Sequence, residues 1–250
     1  MVILRKAEEI AKLRASNCIV AEILLEVQGR VAPGVTTLDL DRYSEELARK
    51  KGAKPAFKGY RGYPFSLCVS VNNEVVHGLP SQRALAEGDL VSLDFGVCFK
   101  GYYGDAAMTI CVGSPSDEAA RLMRVTEESL YRGIEEARVG NRLGDISAAV
   151  QGHVEEAGFS VVRDFVGHGI GRNLHEEPQI PNFGRKGRGV ALKAGMVLAI
   201  EPMVNAGTYK VAVLPDGWTV VTEDGRLSAH FEHSVAITEN GPEILSRLTP

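Results

Sequence analysis

No apolar run in this sequence approaches the roughly 18 residues of a membrane span, so nothing in it reads as a lipid-crossing helix. Charge imbalance is also small. The 28 lysines and arginines against 32 aspartates and glutamates leave a formal net charge of −4, which argues against nucleic acid or an anionic bilayer as the main partner. Cysteine is scarce, and Cys18, Cys68, Cys98 and Cys111 show neither a CxxC nor a zinc-finger spacing. Reduced thiols are the expectation, and a disulfide framework is not. The opening MVILRKAEEIAKLR is too charged, and its apolar part too short, for a signal peptide, which points to the cytoplasm. What remains is an ordinary globular composition, 44% hydrophobic and 24% charged over 250 residues, enough to bury a sizeable core.

Apolar residues Ile10, Leu13, Val20, Leu24 and Val27 fall near one stripe of a 3.6-residue period, which predicts a helix from about Lys6 to Val27. A second helix should start near Thr36 or Thr37, whose hydroxyls can cap it, and stop at Gly52. Residues 55–78 read as a loop followed by an irregular strand. Two more amphipathic helices are expected over Asp117–Arg138 and Leu143–Glu156. The second pair repeats the first. Gly34, Asp39, Leu40 and Gly52 correspond to Gly140, Asp145, Ile146 and Gly158 at an offset of 106 (140 − 34), and EGDLVSLDFG corresponds to KAGMVLAIEPM at an offset of 107 (201 − 94). Each half therefore reads as two helices followed by antiparallel strands. Residues 1–250 would form one α+β domain, its halves roughly 1–110 and 111–250 related by a pseudo-twofold axis, with the ligand site between them.

The stretch Val91–Thr109 carries the first chemical signal. Val91, Leu93, Phe95 and Val97 alternate with Ser92, Asp94, Gly96 and Cys98, the period of a strand. Lys100-Gly101 offers a two-residue turn, pairing Phe99 with Tyr102 and setting Asp94 opposite Ala107. Asp105 then shares a face with Asp94, and two such carboxylates repel unless something positive lies between them. Glu201, the counterpart of Asp94 in the second half, closes the apolar run MVLAI, and Glu232 sits inside the strand-like AHFEHSVAI. Buried carboxylates are costly unless paired or metal-bound. With His168 from FVGHGIG they form a set too negative for one ion and sufficient for two, about 3.5 to 4 Å apart.

The motifs NNEVVHGLP, SLDFG with GYYGDAAMT, GHGIGRNLHEEPQI, AIEPM and HFEHSVAIT, in this order, resemble the methionine aminopeptidases, enzymes of the pita-bread fold. The resemblance covers essentially the whole chain. It implies five metal ligands, Asp94, Asp105, His168, Glu201 and Glu232, with Asp105 and Glu232 bridging two ions, and roles for His77 and His175 beside the scissile amide. It also implies a methionine pocket at Tyr60, Tyr63, Cys68 and Trp218, where aromatic faces and a thiol suit a polarizable sulfur. Phe57 and Leu174 depart from the family, whose members often carry Cys and Phe there, and so bear on pocket width. Only 26 residues (201 − 175) separate His175 from Glu201. That spacing leaves no room for the helical insertion of type II enzymes, and with no zinc-binding extension the chain resembles the short bacterial type I form.

The expected activity is removal of the initiator methionine from nascent chains, preferably before a small second residue; Val2 would make the chain a substrate of itself. The expected chemistry is attack on the peptide carbonyl by a metal-bridging hydroxide. Glu201 would be both ligand and proton carrier, and His77 and His175 neutral donors to the developing oxyanion. Co²⁺, Mn²⁺, Fe²⁺ and Zn²⁺ all suit a four-carboxylate, one-imidazole set. The family suggests a monomer, and ribosome contact is left open. Two rivals stand beside this reading. One is a pita-bread peptidase that cuts before proline, which usually has a large N-terminal domain. The other is a metal-free binding protein on the same fold, which should lack a ligand.

Overall fold

Helix α1 (Ala7–Gln28) buries Leu13, Val20, Leu24 and Val27 of the stripe its sequence period predicts, with Ile23 beside them and Ile10 half-buried. The start of α2 (Thr37–Lys50) is set by a reciprocal cap. The Asp39 N–H donates to the Thr36 hydroxyl at 3.1 Å, and the Thr36 N–H and O–H both donate to the Asp39 carboxylate. Ser116 caps α3 (Asp117–Glu136) in one direction only, accepting from the N–H of Ala119, which has no side chain to answer it, at 3.2 Å. That helix ends two residues before the expected Arg138, because buried Ala137 leaves helical geometry at ψ 61°. Helix α4 spans Leu143–Glu156. Like α2 it has 14 residues, and the two lie 106 positions apart (143 − 37).

The computed structural model describes residues 2–248. Among them, nine strands form one antiparallel sheet in the order Lys54–Pro55, Leu90–Phe99, Tyr102–Cys111, Glu232–Thr238, Val197–Ile200, Val166–Gly169 and Glu176–Pro181; Leu67–Val71 adds to Leu90–Phe99, and Gly241–Ile244 to Glu232–Thr238. Outward from the Tyr102–Cys111/Glu232–Thr238 seam, one side carries the long strand Leu90–Phe99 and then Lys54–Pro55, and the other the short strands Val197–Ile200, Val166–Gly169 and Glu176–Pro181. The seam itself pairs only Glu232 with Ala107 and His233 with Ala106. The hairpin has the expected register, with Phe99 across from Tyr102 and Asp94 across from Ala107. Lys100 (φ 50°) and Gly101 (φ 78°) form its two-residue turn, where both positions need the left-handed region.

The helices cover one face of this sheet. Leu93, Phe95, Val97 and Ala106 join Val20, Leu24, Leu40 and Leu47 of α1 and α2 in one core, while Leu198, Ile200, Val235 and Ile237 join Leu130, Ile134, Leu143 and Ile146 of α3 and α4 in another. Full burial of each such side chain is worth about 1.5 to 3 kcal/mol. A one-residue slip would trade them for the acids on the opposite face, so the apolar alternation locks the register. Helix α1 also packs close to the strand that carries Asp105. A Cβ on Gly104 would lie 2.7 Å from the Asn17 nitrogen, and the Asp105 N–H donates to the Asn17 side-chain oxygen at 3.2 Å.

Residues 55–78 differ from the single irregular strand expected. Leu67–Val71 and Glu74–Val76 are separate strands divided at Asn72 (φ 60°), and the second joins Val220–Thr222 and Val211–Val213 in a small sheet of its own. A third sheet contains Ser160–Val161, Met203–Asn205 and Ser228–His230.

Candidate metal centre

Because paired residues in an antiparallel sheet project to the same side, strand register alone gathers the acids. Cys68 pairs with Asp94, Asp94 with Ala107, and Ala107 with Glu232. These four form a row on the face away from the helices, and Asp105, two residues from Ala107, projects to that face as well. In the second half His168 pairs with Ala199, and Glu201 follows two residues later on the same side. The strand ends there because Pro202 cannot donate to a ladder. Ala107 has only a methyl group, which leaves space at the floor between Asp94 and Glu232.

The five side chains close on one another. A ligand atom each from Asp105, His168 and Glu232 lies within 4.8 Å of the other two. The His168 Nε2 is 3.5 Å from Glu201 Oε1 and 3.9 Å from Asp105 Oδ2. Its Nδ1 is 2.9 Å from the Gly169 carbonyl oxygen, so Nδ1 carries the proton and donates. Nε2 therefore presents a lone pair to carboxylates that can only accept, until something cationic or a proton intervenes. Asp94 Oδ1, Asp105 Oδ1 and Glu232 Oε1 are buried with no hydrogen-bond partner among the described residues. Unpartnered buried oxygens facing an imidazole lone pair are the donor set a divalent cation takes, and the residues present fit one.

Electrostatics agree with that geometry. Burial pushes Asp94 up to about 7. Burial first, and then the charge of neighbouring acids, drives Asp105, Glu201 and Glu232 well above the carboxylate range. Burial holds His168 down at about 4, so its imidazole is neutral at pH 7. Without a cation this cluster must take up protons to be tolerated.

Above the acids opens a cavity of about 380 Å³ whose walls include Tyr60, Tyr63, Cys68 and Trp218. Phe57 and Leu174, the two departures noted in the sequence, also line it. Trp218 reaches the cavity because Asp216 Oδ1 accepts the N–H groups of Trp218 and Thr219 at 2.8 Å each, which fixes the LPDGWTV turn. The indole meets Tyr63 edge-on at 5.1 Å, and the Tyr63 hydroxyl donates to the Gly78 carbonyl at 3.0 Å. His175 stacks on Tyr60, rings 5.2 Å apart, with its Nδ1 3.0 Å from the Tyr60 hydroxyl. Burial and the neighbouring imidazole of His168 keep it below the usual histidine range. His77 follows the strand Glu74–Val76 in the left-handed region (φ 59°), which turns its ring into the cavity and edge-on to Phe165 at 5.5 Å.

All residues singled out in the sequence thus line one cavity. Phe165, Arg61 and Asp164 line it too and were not anticipated. Phe165 had a faint signal as the apolar residue just before VGHG; the two charged residues had none. The floor position Ala107 was seen only as a register partner.

Residues 11–239 match metallopeptidase family M24. A methionine aminopeptidase of Clostridium perfringens is 58% identical over 246 residues, spanning 98% of this chain and 99% of the relative. Methionine aminopeptidase 1 of Bacillus subtilis is 52% identical, spanning 99% and 100%. The crystal structure of the Thermotoga maritima methionine aminopeptidase superposes with a TM-score of 0.98 at 50% identity, covering 99% of this chain and 100% of that one. A prolidase from Pyrococcus furiosus shares the fold at TM-score 0.81 and 25% identity, with 66% of its length covered. The architecture is the α+β pita-bread fold expected from the sequence, two pseudo-symmetric halves with the site between them. The chain belongs to metallopeptidase family M24, among its methionine aminopeptidases.

Proposed function

We propose that this chain is a metal-dependent aminopeptidase that removes the N-terminal methionine from nascent polypeptides, preferring a small second residue. The observation that carries the reading is the convergence of four carboxylates and a neutral imidazole at the base of an aromatic cavity, with three carboxylate oxygens unpartnered. Asp94, Asp105, His168, Glu201 and Glu232 would hold two divalent ions, drawn from Co²⁺, Mn²⁺, Fe²⁺ and Zn²⁺. When bound, such ions supply Lewis acidity and a water acidified toward neutral pH.

The protein's own groups do the rest. A carboxylate oxygen of Glu201 takes the proton of the attacking water and returns it to the leaving amine. The Tyr60 hydroxyl donates a hydrogen bond to His175 Nδ1, which leaves the N–H of the neutral ring at Nε2 to donate a hydrogen bond to the negative charge developing on the carbonyl oxygen. His77, neutral because burial lowers its pKa, orients the amide from the opposite wall. Tyr60, Tyr63, Cys68 and Trp218 form the slot for the thioether, and Phe57 and Leu174 set its width.

Residues 1–250 act as one catalytic domain built from a duplicated half, a reading supported by the equal length and constant offset of α2 and α4. The enzyme works in the cytoplasm as a monomer; no helix among the described residues is long and apolar enough to cross a membrane. Against the proline-directed alternative stand 25% identity to the prolidase and 50 to 58% to methionine aminopeptidases.

The test is release of free methionine from Met-Ala-Ser by chelator-treated protein, with and without Co²⁺ or Mn²⁺, beside Ala-Pro-Ala as the proline-directed probe. Release should require metal, and Glu201→Gln should lower kcat by about 10² to 10⁴. If no divalent ion restores methionine release, the proposal fails.

A further inference from the structure

We infer that Arg5 is a positioning residue for His175, acting through Glu176 from the segment that precedes α1. Arg5 is a cation with a side chain only 4% exposed, and Glu176, also nearly enclosed, is the residue next to His175. The Arg5 guanidinium donates from Nη2 to Glu176 Oε2. The other oxygen, Glu176 Oε1, accepts the backbone N–H groups of Arg172 and Asn173 at 3.0 Å each. One carboxylate thus closes the turn that leads into His175, and Arg5 holds that carboxylate.

The anchoring of Arg5 is itself rigid. Its backbone N–H donates to the Gly195 carbonyl at 2.7 Å. Its guanidinium lies against Gly171, where any Cβ would strike it. Its Nη1 is 3.6 Å from Glu9 Oε1, and Glu9 in turn accepts the Tyr102 hydroxyl at 3.1 Å. The turn is fixed from its other side as well, by the Tyr103 N–H donating to the Gly171 carbonyl at 2.9 Å. Beyond Glu176, the His175 ring is held by side-chain contacts alone: its hydrogen bond to Tyr60, its stacking on that ring, and the His168 imidazole 4.1 Å away. The backbone beside His175 is therefore set by Glu176, which pairs with Gly169 in the sheet and whose carboxylate Arg5 holds. A fork that meets Glu176 with one nitrogen and Glu9 with the other suits guanidinium and not ammonium.

The inference rests on His175 being the donor that faces the amide, so its test uses two readouts. In ¹⁵N-histidine-labelled protein, Arg5→Ala should shift or broaden the His175 ring resonances, assigned by their loss in His175→Asn. In methionine release from Met-Ala-Ser, Arg5→Ala should lower kcat at least tenfold, since misplacement of about 1 Å can cost about 10². KM and metal affinity should stay within about twofold, because Arg5 touches no metal ligand. Arg5→Lys should recover only part of the loss. If Arg5→Ala does not fold, Glu176→Gln takes its place with the same readouts.

Unchanged His175 resonances, unchanged kcat, or a kcat loss that tracks a loss of metal affinity would each overturn the inference. A wild-type protein that releases no methionine would sink the functional reading alone, and the ring resonances would still decide the role of Arg5.

Discussion

Replacing Asp94 by Asn should stabilise the metal-free protein above neutral pH. Asp94 Oδ1 is buried without a partner, and burial raises the carboxyl from 3.8 to about 7. A group whose pKa is raised by folding keeps its proton in the native state after the unfolded chain has lost it, so stability is full below pH 3.8 and falls as pH rises through about 7. At about 1.4 kcal/mol per pH unit over about three units, the ionised carboxylate costs the metal-free fold about 4 kcal/mol at pH 8. At pH 5 the same reckoning leaves about 1.5 kcal/mol. Asn has nearly the same shape and no charge to lose. For a chain of this size, 4 kcal/mol corresponds to a melting temperature higher on the order of 10 °C. The assay is thermal denaturation of chelator-treated wild type and Asp94→Asn at pH 5 and pH 8. The variant should be more stable at both, with the larger gap at pH 8. Adding Mn²⁺ should reverse the order, since the wild type gains RT ln(1 + [L]/Kd) from ions the variant holds poorly. Equal melting temperatures at pH 8, or a gap that does not change between the two pH values, would refute the reasoning.

Further outcomes follow from the same cluster. Asp105, Glu201 and Glu232 are driven well above the carboxylate range in the metal-free fold, so divalent metal entering near pH 7.5 must expel protons. Affinity should rise about tenfold per pH unit for each proton displaced, and titration calorimetry in buffers of different ionisation enthalpy should give different heats; identical heats would count against it. Ala107→Val adds two methyl groups at the floor between Asp94 and Glu232, so metal affinity should fall at least tenfold while overpacking costs about 1 to 3 kcal/mol of stability. Wild-type affinity in that variant would mean the ions sit elsewhere.

Local structure was legible because neighbouring residues dictate it. Steric preference and capping chemistry fix α2 at Thr36, the spacing of Leu143–Glu156 marks α4, and Lys100-Gly101 sets a hairpin whose register places Asp94 against Ala107. The acids of the site were legible one by one, as charged residues interrupting apolar strand patterns. Tertiary structure alone decided how they meet: the two-pair seam at Ala106 and Ala107, which brings Glu232 beside Asp94, and the pairing of His168 with Ala199, which carries the imidazole to Glu201. It also decided that residues 55–78 divide between two sheets and that Arg5 reaches Glu176, 171 residues away. No periodicity encodes such contacts. Pairing between distant segments is settled by which apolar faces can be buried together and which charges can be compensated, and both depend on the assembled fold.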